Sequence, residues 1–472
     1  MSRILMVASE ASPFVKTGGL GDVLGALPAA LARRGEEVGV VTPRYRIALI
    51  PGAERIADAM PISLGPHRFV VGIDQLVRDG VRFFFLNCPP LYDRAGVYNE
   101  SGWDYGDNHI RFALLCRAAL EISRDIFHAD IFHGHDWQAA LLAPYLHAQL
   151  ARDPTFFGVN CVLTIHNLGY QGNFDARVLP DLGLDPALYH PEGLEFYGRL
   201  NFLKAGIVWA DAVTTVSPTY AREIQTPEFG FGMDGLLRSR AYKLTGILNG
   251  VDYHEWAPET DRFLPANYSP ADLSGKEVCK RTLLGTLGLP MALDRPVIGV
   301  VSRFAHQKGM DFIGEISPRL AEEDVALAVL GSGERGIENM FRYLAYIRPE
   351  QFGVCIGYDN VLAHLIEAGT DMFLMPSRYE PSGLSQMYSL RYGTVPIVRA
   401  TGGLQDTVDE TTGFKYHGYT PEALFDTIRL AVSAFQDKES WRARMLRGMA
   451  MDFSWDRSAA QYQSLYARVR GQ

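Results

Sequence analysis

Cysteine is scarce in this chain: five in 472 residues, at positions 88, 116, 161, 279 and 355, with no CxxC among them. An odd number of widely spaced thiols excludes a disulfide framework and a zinc knuckle, and favours a reducing compartment. Long hydrophobic runs are missing too. Nothing approaches the ~18 consecutive apolar residues that a membrane helix needs, and the opening MSRILMVASE has too short an apolar core for a signal peptide. Positive charge is in deficit, 45 Lys and Arg against 54 Asp and Glu, a formal net charge of −9. That balance argues against nucleic acid as a bulk partner, while leaving room for a local basic pocket. No low-complexity tract or solenoid period is present. No histidine pair has HExxH spacing and no DxD-like cluster is poised for a cation, so no metal site is expected. With 47% hydrophobic and 21% charged residues, a soluble cytoplasmic globular protein is expected. Its length predicts roughly three domains, or two large ones.

What is present is an alternation of short apolar runs with helical segments. The most informative stretch, DMFLMPSRYEPSGLSQMYSLRYGTVPIVRATGGLQDTV, covers residues 371–408. Its apolar start is short enough for a buried strand, and SRYEPSG reads as a turn. Leu384, Met387, Tyr388 and Arg391 then recur at helical spacing up to Gly393, and VPIVRA is the next strand. Glu380 therefore stands where a strand's C-terminal end meets a helix N-terminus. In parallel α/β sheets ligands bind in that crevice; the competing reading is that Glu380 only complements the helix dipole. Upstream, RILMVA is followed by the loop KTGGL and by Leu20, Val23, Leu24, Leu27 and Leu31 at helical spacing. VGVVTP, RFVVGI, VRFFFLN, ADIFHGHD, CVLTIHN, DAVTTVSP and LTGILNG continue the series to about residue 250. The alternation predicts mostly parallel sheets with helices on both faces. The pattern lapses over 251–292, which reads as a connecting region, and resumes over 293–454. The tail 455–472 is amphipathic, a helix with no following strand.

The turns carry the chemistry. TGGLGDV at 17–23 and TGGLQDTV at 401–408 repeat one device, glycines that admit close backbone approach before a helix start rich in N–H donors. Such turns, one in each half, could face each other across a cleft, or could simply start helices well. SRFAHQKG puts Arg303 and Lys308 on one strand-end loop, a forked guanidinium and a point charge suited to a diphosphate. GHDWQ and TIHN place His135, Asp136, His166 and Asn167 at two further strand ends. GLGDV lacks a full GxGxxG register, which disfavours a dehydrogenase.

Taken together and in order, KTGGLGDV, HGHDWQ, TIHNLGYQG, SRFAHQKG, LGSG, IGY and the 371–408 stretch resemble the bacterial glycogen synthases and plant starch synthases, the family 5 glycosyltransferases. The resemblance runs from Lys16 to Asp406. It implies two Rossmann-like lobes facing a central cleft (the GT-B fold), with a C-terminal helix crossing back to the first lobe. It also implies transfer of glucose from ADP-glucose to the non-reducing end of an α-1,4-glucan with retention of configuration. Carried over by motif, Lys16, Arg303 and Lys308 hold the donor diphosphate and Glu380 contacts the sugar hydroxyls. His166 sits beside the anomeric centre and Asp136 positions sugar or acceptor. Asp22, Asn167, Asn249, Ser382 and Thr401 belong to the donor pocket, Tyr92 lies near the donor and Tyr358 lies by the adenine. Gly18, Gly19, Gly383 and Leu384 supply backbone N–H groups. Nucleotide sugar and glucan are the expected partners, with neither metal nor pyridoxal phosphate as cofactor. A homo-oligomer is compatible with the sequence.

Two departures stand out. The common family sequence EPCGL reads EPSGL here, so Ser382 replaces a cysteine; a hydroxyl can still cap N–H groups, and sensitivity to thiol reagents at that position is expected to be lost. Tyr388 stands where many other retaining two-lobe transferases have a second glutamate, in agreement with the synthase branch. Three alternatives stay open: UDP-glucose as donor, a pyridoxal-phosphate glucan phosphorylase, and a non-catalytic glucan-binding protein.

Overall fold

The computed structural model describes residues 1–471 apart from Leu49 and Ser101. The chain divides into two compact units, one of residues 1–216, 221–250 and 455–472, the other of 217–220 and 251–454.

The first unit is built on a nine-stranded sheet. Its strands are β1 (Arg3–Val7), β2 (Glu37–Pro43), β3 (Glu54–Leu64), β4 (His67–Arg78), β5 (Val81–Asn87), β6 (Ile131–His135), β7 (Asn160–Ile165), β8 (Ala212–Thr215) and β9 (Leu244–Gly246), in the order β9-β8-β7-β6-β1-β2-β5-β4-β3. The seven from β9 to β5 in that order run parallel, whereas β4 pairs antiparallel with both β5 and β3. The sequence analysis did not mark β3: most of its residues are exposed, as befits an edge strand, so no sustained apolar run announces it. Between β1 and β2 the Gly19–Arg33 helix buries Leu20, Val23, Leu24, Leu27 and Leu31, each worth about 2 kcal/mol of apolar transfer. The Trp455–Arg470 helix belongs to this unit and buries Trp455, Ala459, Tyr462, Leu465, Tyr466 and Val469 in the same core. The Tyr466 hydroxyl reaches His133 Nδ1 at 2.7 Å.

The second unit carries six strands, β10 (Val297–Phe304), β11 (Ala326–Gly333), β12 (Phe352–Ile356), β13 (Met372–Met375), β14 (Val395–Arg399) and β15 (Phe414–Tyr416). All pair parallel, in the order β12-β11-β10-β13-β14-β15. Residues 251–292, expected to be a connecting region, fold into this unit. The Ser274–Thr286 helix buries Cys279, Leu283 and Leu284 against Val297, Leu330 and Phe373. Trp256 is sandwiched between His364 and Tyr388, with ring centroids 3.8 and 4.0 Å away. The loop-like composition of 251–292 hides these contacts because Trp256 binds through ring faces and not through a periodic pattern.

In each sheet the connections leave a central strand in opposite directions, β1 toward β2 and β6 in the first and β10 toward β11 and β13 in the second. Those reversals open a crevice at the strands' C-terminal ends.

Candidate active site

In the second unit the crevice beside β10 and β13 is made by two loops knitted together. The β10 loop turns at Gly309 (φ +67°), where a Cβ would lie 2.1 Å from the Pro376 carbonyl oxygen. Only glycine permits that approach. The Gln307 carbonyl accepts the Arg378 N–H at 2.8 Å. This brings Lys308 Nζ to 2.6 Å from Glu380 Oε2, which also accepts from Ser377 Oγ at 2.9 Å. Glu380 is 6% exposed. The following helix begins only at Ser385, so Glu380 lies outside its first turn and does not serve the dipole. That helix ends in a Schellman motif: the Gly393 (φ +65°) N–H donates to Leu390 and the Thr394 N–H to Ser389. Arg303 is exposed at the end of β10, with its guanidinium 3.4 Å from the Gln307 side chain. Tyr358, 87% exposed, follows β12.

TGGL at 401–404 proves to be an internal brace. The Gly403 N–H is shared between the Glu380 and Pro381 carbonyls at 3.1 Å each. A Cβ on Gly402 (φ +45°) would meet the Glu380 oxygen at 1.9 Å, and one on Gly403 the Ser382 oxygen at 1.8 Å. Thr401 is 1% exposed. These glycines therefore hold the EPSG turn from behind. Gly403→Ala is expected to destabilise the second unit by about 3 kcal/mol, read as a drop in the urea midpoint, and to lower turnover through displacement of Glu380. Ser382 is buried, Gly383 adopts φ +65°, and Leu384 stands at the N-cap position without a side-chain cap bond.

In the first unit Lys16 Nζ pairs with Asp22 Oδ1 at 2.6 Å, the latter in the first turn of the Gly19–Arg33 helix. Gly18 and Gly19 are exposed, with open space where a Cβ would stand. Asp136 follows β6 in a left-handed conformation (φ +58°), costing about 1 kcal/mol, and its carboxylate accepts the His166 N–H at 2.7 Å. His166 Nε2 lies 3.0 Å from His135 Nδ1, whose ring packs 4.2 Å from that of His133. His133 is held by Thr164 and Tyr466. Burial pushes His133 and His166 down to about 3 and His135 well below its ordinary value, so all three are neutral imidazoles near pH 7. Desolvation, with Glu10 nearby, pushes the Asp136 carboxyl up to about 7 against the pull of its N–H donors. Asn249 is 6% exposed and its amide oxygen is buried without a partner, a group that a ligand hydroxyl would satisfy. Asn167 accepts the Gly169 N–H at 2.9 Å, which orients its loop.

Tyr92 does not join this group. It is fully buried, and its hydroxyl donates to the Arg111 carbonyl at 2.7 Å, so it is a core residue with no surface to offer a donor. The tyrosine of that region that reaches the site is Tyr98, whose hydroxyl bonds Ser9 at 2.7 Å and the Glu10 carboxylate. Glu10, Tyr98 and Ser377 had no motif signal strong enough to single them out as site residues; each matters through a contact that only the folded chain makes. Among the described residues no group of three or more His, Cys, Asp or Glu could hold a metal ion. Among the described residues no helix is long and apolar enough to cross a membrane.

Two α/β units, each with charged loops at a strand-order reversal, follow the plan of the two-lobed glycosyltransferases. The starch synthase catalytic domain model matches residues 3–239 and the group 1 glycosyl transferase model residues 289–444. The chain is 49% identical to a glycogen synthase of Koribacter versatilis over 99% of this chain and 98% of that one. It is 50% identical to one of Anaeromyxobacter sp., over 98% of each. The catalytic domain of starch synthase IV from Arabidopsis thaliana, solved with ADP and acarbose, superposes with a TM-score of 0.92 at 32% identity, covering 100% of both chains. Sucrose-phosphate synthase of Thermosynechococcus elongatus (TM-score 0.63, 18% identity, 99% of each chain) shares the fold. The chain belongs to the glycogen and starch synthase family of glycosyltransferases.

Proposed function

We propose that this enzyme transfers glucose from ADP-glucose to the non-reducing end of an α-1,4-glucan, with retention of the anomeric configuration. The observation that carries the reading is the Lys308–Glu380 pair at the ends of β10 and β13, in which Glu380 is buried and Lys308 half-buried. It offers a cation and a carboxylate side by side, one for a departing phosphate and one for sugar hydroxyls. Cleavage of the sugar–diphosphate bond leaves negative charge on phosphate and an oxocarbenium-like sugar. In the second unit Arg303 and Lys308 are the cations suited to the first charge, and in the first unit Lys16 is one. Asp136, once ionised, opposes the second, with neutral His166 beside it as a hydrogen-bonding and not a proton-transferring group. In the second unit Tyr358 is the face for the adenine and Ser382, Gly383 and Leu384 are donor contacts; in the first unit Asn167 and Asn249 are. Gly18 already gives its N–H to Glu10; Gly19, as the first helical residue, presents an N–H with no intrahelical partner.

Fixed protein cations supply the charge neutralisation, so the enzyme is proposed to need neither metal nor pyridoxal phosphate. The test is extension of a maltooligosaccharide primer with radiolabelled ADP-glucose and UDP-glucose in parallel, each with and without EDTA. Elongation from ADP-glucose at an EDTA-independent rate is expected. Failure with both donors, or abolition by chelation, overturns the reading. The five free thiols suit the cytoplasm, where we place the protein, and self-association is left to sedimentation.

A pH profile follows from Asp136. Since its folded-state pKa, about 7, exceeds that of an unfolded aspartate (about 4), the protonated form favours the fold. Its contribution to stability is present below about pH 4 and is lost as pH rises through about 7. Activity runs the other way, because the ionised form is the useful one. kcat/KM is expected to rise with pH through about 7, and Asp136→Asn to abolish that limb while raising Tm more at pH 8 than at pH 5.

A further inference from the structure

The loop that carries Lys16 is exposed from Lys16 to Gly19, and both glycines adjoin open space. Besides the Lys16–Asp22 ion pair, it is held by a carboxylate from the segment that follows β1. Glu10, 2% exposed, accepts the Thr17 N–H and the Gly18 N–H (3.3 Å) on Oε2. Its Oε1 accepts the Thr17 hydroxyl (2.7 Å) and the Tyr98 hydroxyl. Four donors from two separate segments thus converge on one buried anion, and two of them are backbone groups that a glycine-rich turn would otherwise present to a ligand.

We propose that Glu10 is a positioning residue for the donor: its carboxylate fills the amide nest of the KTGGL turn from inside and so fixes Lys16 and the Tyr98 phenol at one set distance. An ionised carboxylate suits the task better than a neutral amide, because every group facing it is a donor and charge-assisted bonds are about twice as strong as neutral ones. Glutamine at this place would turn an NH2 toward at least one of those donors. The inference rests on the transfer reaction proposed above for its kinetic part, and on the free protein for its structural part.

The same charge has a second effect. Burial is the main cause opposing ionisation of Asp136; of the titratable groups facing it, His135 and His166 are neutral, and the Glu10 carboxylate adds its charge to that opposition. A residue that merely filled space would leave that ionisation where it is.

Glu10→Gln is the test, with Thr17→Val as a milder companion that removes one donor on the exposed loop. In the free protein, hydrogen–deuterium exchange of the peptide spanning residues 16–19 is expected to quicken at least ~10-fold in Glu10→Gln and less in Thr17→Val. In turnover assays KM for ADP-glucose is expected to rise about 10-fold or more with KM for glucan unchanged, and the acid limb of kcat/KM to move to lower pH. Unchanged exchange in both variants overturns the proposal, whether or not the protein transfers glucose. Faster exchange with an unmoved donor KM and an unmoved limb would make Glu10 a structural clamp only, which also overturns it. If Glu10→Gln does not fold, Thr17→Val carries the exchange and KM readouts alone.

Discussion

Glu380→Ala is expected to lower turnover by about two to three orders of magnitude while leaving the protein folded. Glu380 is buried and accepts hydrogen bonds from Lys308 and Ser377 within 3 Å, so its position is fixed before any substrate arrives. Fixed polar groups of this kind carry their full worth in the transition state because nothing has to reorganise, and losing one typically costs about 10²–10³ in rate. The fold survives because Lys308, whose side chain is 19% exposed, can return to water. Circular dichroism and a urea midpoint within error of wild type, with the rate loss falling on kcat, are the expected readings. Near-normal turnover would remove Glu380 from the chemistry.

Lys308→Ala is expected to combine a comparable rate loss with a stability loss of about 3 kcal/mol, and the two effects have separate causes. The rate falls because a cation at the departing phosphate is gone. Stability falls because the Glu380 side chain, 8% exposed, is left with a single hydroxyl donor for its charge. The paired variant Lys308→Met with Glu380→Gln separates them: removing both charges is expected to restore most of the urea midpoint and none of the turnover. Recovery of both, or of neither, would show that the pair is not arranged as described.

Much of this was legible in the sequence. The strand runs ending in HGHD, TIHN and SRFAHQKG, each followed by helical spacing, marked which side chains stand at C-terminal strand ends, because a parallel sheet places every such end on one edge. Tyr92, expected near the donor, is a core residue instead. LYDR lies close in sequence to Tyr98, and one-dimensional proximity could not say which phenol is buried against Arg111 and which turns to Glu10. TGGL at 401–404 was ambiguous for a related reason. A glycine allows close approach without saying whether a ligand or the chain's own backbone will approach, and here it is the Glu380–Ser382 backbone. Residues 251–292 were misleading in composition because Pro, Asp and Ser suggest a tether, whereas Trp256 and the Ser274–Thr286 helix are bound by side chains distant in sequence.

The order of apolar runs and turns, by itself, determined the α/β class, two repeating halves and the strand ends that carry charge, since periodicity and glycine placement are local properties of the chain. Only the tertiary structure decided that Lys308 meets Glu380, that Glu10 occupies the KTGGL amides, and that three neighbouring buried histidines are neutral. Those facts depend on three-dimensional distance and desolvation, whether the partners are near in sequence, as Glu10 and Thr17 are, or far apart, as Lys308 and Glu380 are, and no local pattern encodes them.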